Sequence, residues 1–488
     1  MISVELLLET FKRQKNEILE TISKTSISRS SLQIEPALPN FARIVTGIRR
    51  SGKSTLISKD LFSMDKSAFY LNFDEPVLYD FSAADFVILE SAIDKFQKEQ
   101  NGSKILYFDE IQIVDGWEVF VNAQLKKGNL VTVTGSNASL LSSELGTRLT
   151  GRHLDYELFP FSFSEFCEIK HYKKTSENFL EYLKKGGFTE YLIYERTEIL
   201  KRLFEDILMR DIVVRYGIKD VRSVKTLAIY LASNCGNLVT GSKLSAQLGL
   251  KTTTTILEYL SFLEQSYLFS FVPKFDYSAK AQSVNPKKVY CIDTGMIQNV
   301  TLSATKDLGR MFENAVFIEL RRRTKNIWYY SEAAFECDFL YGSENIPENA
   351  IQVCYELTNE NREREVRGVV KTCKKFPNVK PLIVTFNQKD KISYEGMIVE
   401  VVPAVDFFKQ NDCDVIILGC THFPVLSSVI QKVLGNSVTL INMGEATAKA
   451  IGQMLNGSDS LNDGTKKAEY KFYASDKTEA FVGTVNIL

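Results

Sequence analysis

The sequence predicts an α/β fold whose central parallel sheet presents a phosphate-binding turn at the carboxyl ends of its strands. Two stretches carry that expectation and a third extends it. The first, ARIVTGIRRSGKSTLI from Ala42 to Ile57, is a short β-branched strand that enters a glycine turn and then a helix. The second, KILYFDEIQ from Lys104 to Gln112, is an apolar run that ends in paired carboxylates. A buried parallel strand meets its ligand crevice in this way. The third, LVTVTGSNASLL, is a strand that ends on Thr134, Gly135, Ser136 and Asn137.

Residues Gly47 to Ser54 read GIRRSGKS and fit G-x-x-x-x-G-K-[ST], the P-loop pattern. Gly47 and Gly52 permit backbone angles that turn successive N–H groups inward around phosphate oxygens. The helix that starts near Lys53 adds its positive end. Gly47, Ile48, Arg49, Arg50, Ser51, Gly52, Lys53, Ser54 and Thr55 are therefore the expected ATP contacts. Lys53 is expected to reach the β- and γ-phosphates, and the Ser54 hydroxyl to bind Mg²⁺. Asp109 is expected to hold Mg²⁺ through water, and Glu110 to orient or deprotonate the attacking water. Asn137 is placed to touch the γ-phosphate or that water; the bland alternative is a helix cap. Arg152, in LTGRHLDYELF, is a candidate sensor or a finger into a neighbouring subunit of a homo-oligomer, with a surface salt bridge as its alternative.

Composition narrows the rest. At 488 residues the chain exceeds one ordinary core, so two to four domains are expected. The hydrophobic fraction of 44% and charged fraction of 24% are those of a soluble globular protein. A net charge of −1 leaves nucleic acid or membrane binding to local patches. The eight cysteines are scattered singly and only three histidines occur, so neither a zinc site nor a disulfide framework is expected. The first residues read as a charged amphipathic helix rather than a signal peptide. No apolar run approaches the roughly 18–20 residues that span a bilayer. A cytoplasmic location without a membrane partner follows as the expectation.

The segments VTGIRRSGKSTLI, LNFDEP, LYFDEIQIVDGWE, VTGSNASLLSSEL, LTGR and ELFPFSFSEF together resemble a group of prokaryotic AAA-superfamily ATPases. Members of that group carry a C-terminal domain related to restriction-type nucleases. The resemblance continues through GGFTEY, ILMRDIVVRYGI, KKVYCIDTGM and MFENAVFIEL, and covers about residues 1–409. It implies a P-loop ATPase core with its N-terminal helix over 1–165, then a helical connector over 166–222. A winged-helix-like region is implied over 223–300 and a nuclease-like domain over 301–409.

Within 223–300, a short helix, a glycine turn at Gly249 and a Thr-rich helix give the rhythm of a helix-turn-helix. Lys251 and Thr252–Thr255 would face a duplex DNA groove, with Lys243, Lys274 and Lys280 on phosphates. The sparse positive charge beside Glu258 and Glu264 supports a protein partner equally well. From Met311 to about Lys409 the order of strands and helices resembles a PD-(D/E)xK core. There Asp338 matches the first metal-binding acid, and Glu319 or Glu313 the helix acid. The acid-x-Lys strand instead reads Gln352-Val353-Cys354. A domain so altered is expected to bind or scaffold rather than to cut nucleic acid.

At Gln410 the sequence changes character. DCDVIILGCTHFPVLSSVIQKVLGNSVTLINMGEATAKAI resembles the C-terminal lobe of glutamate racemase, which is implied over 410–488. Cys420, Thr421 and His422 of LGCTHFP match that family's thiol motif. The opposed lobe with its partner thiol is missing, so Cys420 is expected to be an orphan. The leading expectation is ATP hydrolysis that switches contacts of the C-terminal domains. The alternatives are a nucleotide-dependent adapter or DNA-binding regulator with little turnover, and racemisation through Cys420.

Overall fold

The computed structural model describes residues 2–24, 29, 34, 37–63, 68–96, 104–138, 151–249, 252–301, 307–343, 346–376, 378–409, 415–418, 427, 439–442 and 447. The chain divides into two units, Met1–Gln410 and Asn411–Leu488.

Helix α1 (Val4–Lys24) buries Leu7 and Phe11, which the four-residue spacing puts on one face. The Phe11 ring stacks on Phe69 at 4.9 Å and meets the edge of Phe96 at 4.6 Å. Beyond it the chain alternates β1 (Ala42–Thr46), α2 (Lys53–Ser63), β2 (Phe69–Asn72), α3 (Phe86–Phe96), β3 (Ile105–Asp109), α4 (Trp117–Lys126), β4 (Leu130–Gly135) and β5 (His153–Glu157). These strands form a five-stranded parallel sheet in the order β2-β3-β4-β1-β5. Strand β1 is buried along its whole length.

That buried strand contains a charge. Arg43 is only 1% exposed, and its Nε donates to Thr132 Oγ1 at 2.9 Å while an Nη donates to Tyr107 Oη at 3.2 Å. The same guanidinium lies 2.7 Å from Asp60 of α2. Arg43, Thr132 and Tyr107 are register partners across β1, β4 and β3. A buried cation is tolerated only when its donors are all but committed, so this row is pinned.

Next come α5 (Phe163–Lys170), α6 (Ser176–Lys185), α7 (Thr189–Tyr194) and α8 (Thr197–Asp206). Ser162 and Glu165 form a reciprocal capping box that starts α5. Helix α8 runs on into a π-helix, Ile207–Val214. A helix–sheet region follows: α9 (Val221–Ser233), β6 (Leu238–Val239), α10 (Gly241–Leu248), α11 (Thr253–Gln265), β7 (Phe269–Val272), α12 (Ala279–Val284) and β8 (Lys287–Cys291). Its strands pair antiparallel in the order β6-β8-β7. Thr252 caps α11 by accepting from the Thr255 N–H, and Thr252, Thr253 and Thr254 are exposed. Lys251 lies outside the described residues.

The chain then forms α13 (Thr294–Val300), α14 (Leu308–Arg323), β9 (Ile327–Glu332), β10 (Phe335–Ser343), β11 (Ile346–Cys354), α15 (Arg362–Lys375), β12 (Lys380–Thr385), β13 (Asp390–Tyr394), β14 (Met397–Pro403) and α16 (Ala404–Phe407). The strands make a six-stranded mixed sheet in the order β13-β14-β12-β11-β10-β9. Two motifs noted in the sequence prove to be halves of one joint. Asp293, which caps α13, accepts from the Gly187 N–H at 2.7 Å and the Met296 N–H at 2.9 Å. A Cβ on Gly187 would come within 2.2 Å of the Phe161 carbonyl oxygen, so only glycine fits.

The stretches expected as separate segments over 166–222, 223–300 and 301–409 share one apolar core. A continuous cluster runs from Ile48 of the P-loop through Phe163, Phe179, Leu227 and Phe312 to Phe408. Phe179 sits at its centre, with ring centroids 5.1 Å from Phe163 and 4.8 Å from Phe408. A second core fills the five-stranded sheet and α1, and a third lies between the six-stranded sheet and α15. The described cysteines before residue 410 are all buried and free. Among the described residues no helix is long and apolar enough to cross a membrane.

In the second unit, β15 (Val415–Leu418) and β16 (Thr439–Asn442) pair in parallel, with Val415 opposite Thr439 and Leu418 opposite Asn442. Cys420, Thr421 and His422 lie outside the described residues.

Replacing Arg43 with alanine leaves Asp60, Tyr107 and Thr132 without a partner they now share. Denaturant unfolding of Arg43→Ala is expected to show a loss of about 3 kcal/mol or more. A midpoint equal to that of the unmodified chain would refute the pinning role.

Candidate functional site

Strands β1, β3 and β4 end side by side, and the turn after β1 closes over their carboxyl ends. Gly47 adopts φ of 138°, and a Cβ there would lie 2.1 Å from the Leu158 carbonyl oxygen. Only glycine permits this path. Lys53 is buried at the start of α2, where its Nζ donates to the carbonyl oxygens of Gly47 at 3.0 Å and Ile48 at 3.1 Å. Burial pushes its pKa down, against the pull of the Glu110 and Asp109 carboxylates. The Ser51 hydroxyl is buried in the same turn and has no hydrogen-bond partner. A cradle that only glycine allows, a lysine waiting on loop carbonyls and an orphan hydroxyl fit a polyphosphate. A cleft of ≈ 370 Å³ opens over the turn, lined by Arg49, Lys53, Ser54, Thr55, Glu110 and Phe161 among others.

The carboxylates are held by β4. Thr134 Oγ1 donates to Asp109 Oδ1, and accepts from the Glu110 backbone N–H at 3.1 Å. Tyr70 of β2 donates to the other Asp109 oxygen at 2.9 Å. Burial, then the neighbouring Glu110 charge, pushes the Asp109 carboxyl up, while hydrogen bonds from Thr134, Ser54 and Tyr70 pull it back. Glu110 sits in the left-handed region at φ 53°, which swings its side chain off the strand axis. Its carboxylate accepts from Gln112 at 2.5 Å and Ser136 at 3.3 Å, and lies 3.9 Å from Lys53. The Ser54 hydroxyl and the Asp109 carboxylate are thus together, as Mg²⁺ coordination requires.

Asn137 follows directly. It is wholly buried, and its Nδ2 donates to Tyr216 Oη at 3.2 Å. Arg49 turns the other way, toward the π-helix, where both its Nε and an Nη donate to the Asp211 carboxylate at 3.0 Å. Arg50 meets Glu190 of α7 at 2.5 Å. Arg29, which lines the same cleft, donates to the Ser51 carbonyl at 2.5 Å, the Phe159 carbonyl at 2.6 Å and Glu165 at 3.1 Å, and so braces the P-loop. Arg152 is not brought to this site. It is exposed and precedes β5 at the opposite end of the sheet, where its carbonyl accepts from the Ala42 N–H at 3.0 Å.

Tyr70, Asp211, Tyr216 and Arg29 escaped the sequence reading because each is remote in the chain from the motif it serves. Tyr70 carried a signal, as a hydroxyl within the apolar strand AFYLN that precedes the acidic LNFDEP, and Asp211 and Tyr216 lie in the quoted segment ILMRDIVVRYGI.

A second polar cluster lies where β8 meets the six-stranded sheet. Asp338 on β10 accepts from Lys288 Nζ at 2.9 Å and from the Val353 N–H at 2.9 Å. Lys288 also lies 3.3 Å from Glu313 and 2.7 Å from Glu336. Of the two helix acids considered, Glu313 joins this cluster, whereas Glu319 pairs with Arg323 at 2.8 Å. The cation of this cluster therefore comes from β8 and not from the strand that carries Gln352. Gln352 itself donates to Glu365 of α15 at 2.8 Å. Burial pushes the Glu313 carboxyl up to about 7, against the opposing charge of Lys288. Among the described residues no group of three or more His, Cys, Asp or Glu side chains is placed to hold a metal.

The AAA domain family profile matches residues 40–167, and that of a domain of unknown function (DUF8612) matches residues 176–307. An uncharacterized protein of Methanocaldococcus jannaschii is 32% identical over 415 residues, covering 79% of this chain and 92% of that protein. A Haemophilus influenzae uncharacterized protein is 31% identical over 414 residues, covering 80% of this chain and 100% of that one. A glutamate racemase of Bacillus cereus is 34% identical over 100 residues, which are 20% of this chain and 36% of the racemase.

Thr134→Val keeps the shape of the side chain and removes the hydroxyl shared by Asp109 and the Glu110 N–H. Urea unfolding is expected to show about 1–3 kcal/mol of lost stability, the cost of stranding buried polar groups. An unchanged midpoint would remove Thr134 from this role.

Proposed function

The chain belongs to the family of the Methanocaldococcus jannaschii and Haemophilus influenzae proteins, and from that premise we propose that it binds MgATP and hydrolyses it to switch the contacts of its C-terminal regions. The observation that carries this reading is the convergence of Lys53, Ser54, Asp109 and Glu110 on one phosphate cradle. Gly47 to Thr55 bind the phosphates, and Lys53 exchanges its loop carbonyls for phosphate oxygens. Ser54 directly and Asp109 through a water would hold Mg²⁺, which would supply positive charge to the polyphosphate. Glu110 orients the water and takes its proton as the water oxygen bonds to the γ-phosphorus and the bond to the β-phosphate oxygen breaks. Asn137 steadies that water or the γ-phosphate. Arg152 serves, in this reading, only as a finger toward a neighbouring copy in a homo-oligomer.

Arg49–Asp211 and Arg50–Glu190 support a switching role, since both tie P-loop residues to the helical connector. A phosphate arriving beside Arg49 competes with Asp211 for the same guanidinium. The output region over 223–300 is read as a winged helix. Exposed Leu257 and Glu258 on α11 favour a protein partner there over a duplex DNA backbone. The six-stranded sheet is read as a PD-(D/E)xK-like scaffold in which the Lys288 ammonium takes up the carboxylate charge. The 410–488 tail is read as a racemase fragment without its catalytic mate.

Lys53→Ala is expected to abolish tight ATP binding. Glu110→Gln is expected to keep binding and to slow turnover by about 100-fold or more. Nucleotide affinity and steady-state phosphate release on both variants decide this. Full turnover by Glu110→Gln would end the general-base assignment.

A chain cut after Lys409 is expected to keep its ATP turnover, because Phe407 and Phe408 already close the core ahead of the tail. The intact chain is expected to leave L-glutamate unracemised, followed by circular dichroism. Racemisation lost in Cys420→Ala would show that a partner base exists.

A further inference from the structure

We propose that Tyr216 is a positioning residue for Asn137, so that the geometry of the reacting phosphate depends on helix α11. This rests on the reading of the cleft as an ATP hydrolysis site. The hydrogen bonds form a directed chain. Gln265 Nε2 donates to Ser261 Oγ at 3.0 Å, which leaves Gln265 Oε1 facing Tyr216. The Tyr216 hydroxyl donates to that oxygen at 2.7 Å, so its own oxygen is presented as an acceptor to Asn137 Nδ2 at 3.2 Å. An amide has a donor end and an acceptor end, and in this arrangement the donor end of the buried Asn137 amide faces Tyr216.

The tyrosine is itself held in place. Its ring stacks on Phe262 with centroids 3.8 Å apart and planes within 10°. Phe262 and Gln265 are both on α11, so one helix fixes the ring and the hydroxyl together. Tyr216 also lies just beyond the π-helix that carries Asp211. The same short stretch of chain therefore grips the P-loop through Arg49 and the end of β4 through Asn137. Runs of π-helix concentrate at functional sites because the extra residue per turn redirects side chains. Here Asp211, inside the π-helix, meets Arg49 of the P-loop, and Tyr216, two residues beyond it, meets Asn137.

Tyr216→Phe keeps the ring stack and removes a single hydroxyl. It is expected to lower kcat by about tenfold with the KM for ATP nearly unchanged, and to lower the thermal midpoint modestly because the buried Asn137 amide loses a partner. Combined with Asn137→Ala it is expected to cost no more than Asn137→Ala alone, because both act through one amide. Amide hydrogen exchange over 253–265 is expected to slow on ATP binding in the full chain and in Glu110→Gln, but not in Tyr216→Phe. Normal turnover by Tyr216→Phe, or additive losses in the double variant, would overturn the proposal. A chain that binds ATP without turnover defeats the hydrolysis reading alone, and the exchange measurement then decides this one. A chain that does not bind ATP defeats both.

Discussion

A guanidinium buried in the middle of a parallel sheet is the constraint on which the phosphate site rests. Arg43 cannot shed its charge, so its donors must find partners inside the sheet, and those partners are Thr132 and Tyr107 in the same cross-strand row. A slip of one residue in β3 or β4 would take these partners away and leave the guanidinium to Asp60 of α2. It would also misplace the residues two positions further along, which are Thr134 and Asp109. The bond between those two is the one that aims the acidic pair at the P-loop. Register, usually a property of apolar packing, is here written in polar contacts.

The acidic pair shows how one side chain can set two. Thr134 donates to a carboxylate and accepts from the following backbone N–H, so Asp109 and Glu110 diverge from one hydroxyl. The left-handed backbone at Glu110 carries strain of order 1 kcal/mol, and this N–H bond offsets it. Asp109 is left pointing at Ser54, and Glu110 at the space in front of Lys53.

Much of this was legible in the sequence, and the reason is local. The glycines of the P-loop, the apolar run before Asp109 and the turn after β4 each need only their neighbours in the chain. The groups that escaped all arrive from elsewhere. Asp211 pairs with an arginine more than a hundred residues earlier, and no spacing rule links them. Lys288 reaches Asp338 from a strand of a different sheet, and nothing in the sequence around Asp338 announces it. The segment boundaries also blurred in three dimensions. Composition and motif order divide 166–409 into parts, whereas Phe179 touches rings on both sides of those divisions.

That shared core has a mechanical consequence. Protein interiors are close-packed and resist compression, and this one is unbroken from Ile48 in the P-loop to Phe408 after the six-stranded sheet. A displacement of the P-loop side chains is not absorbed by a soft joint on the way. The connector, the three-stranded sheet and one face of the six-stranded sheet are therefore coupled to the P-loop by direct packing.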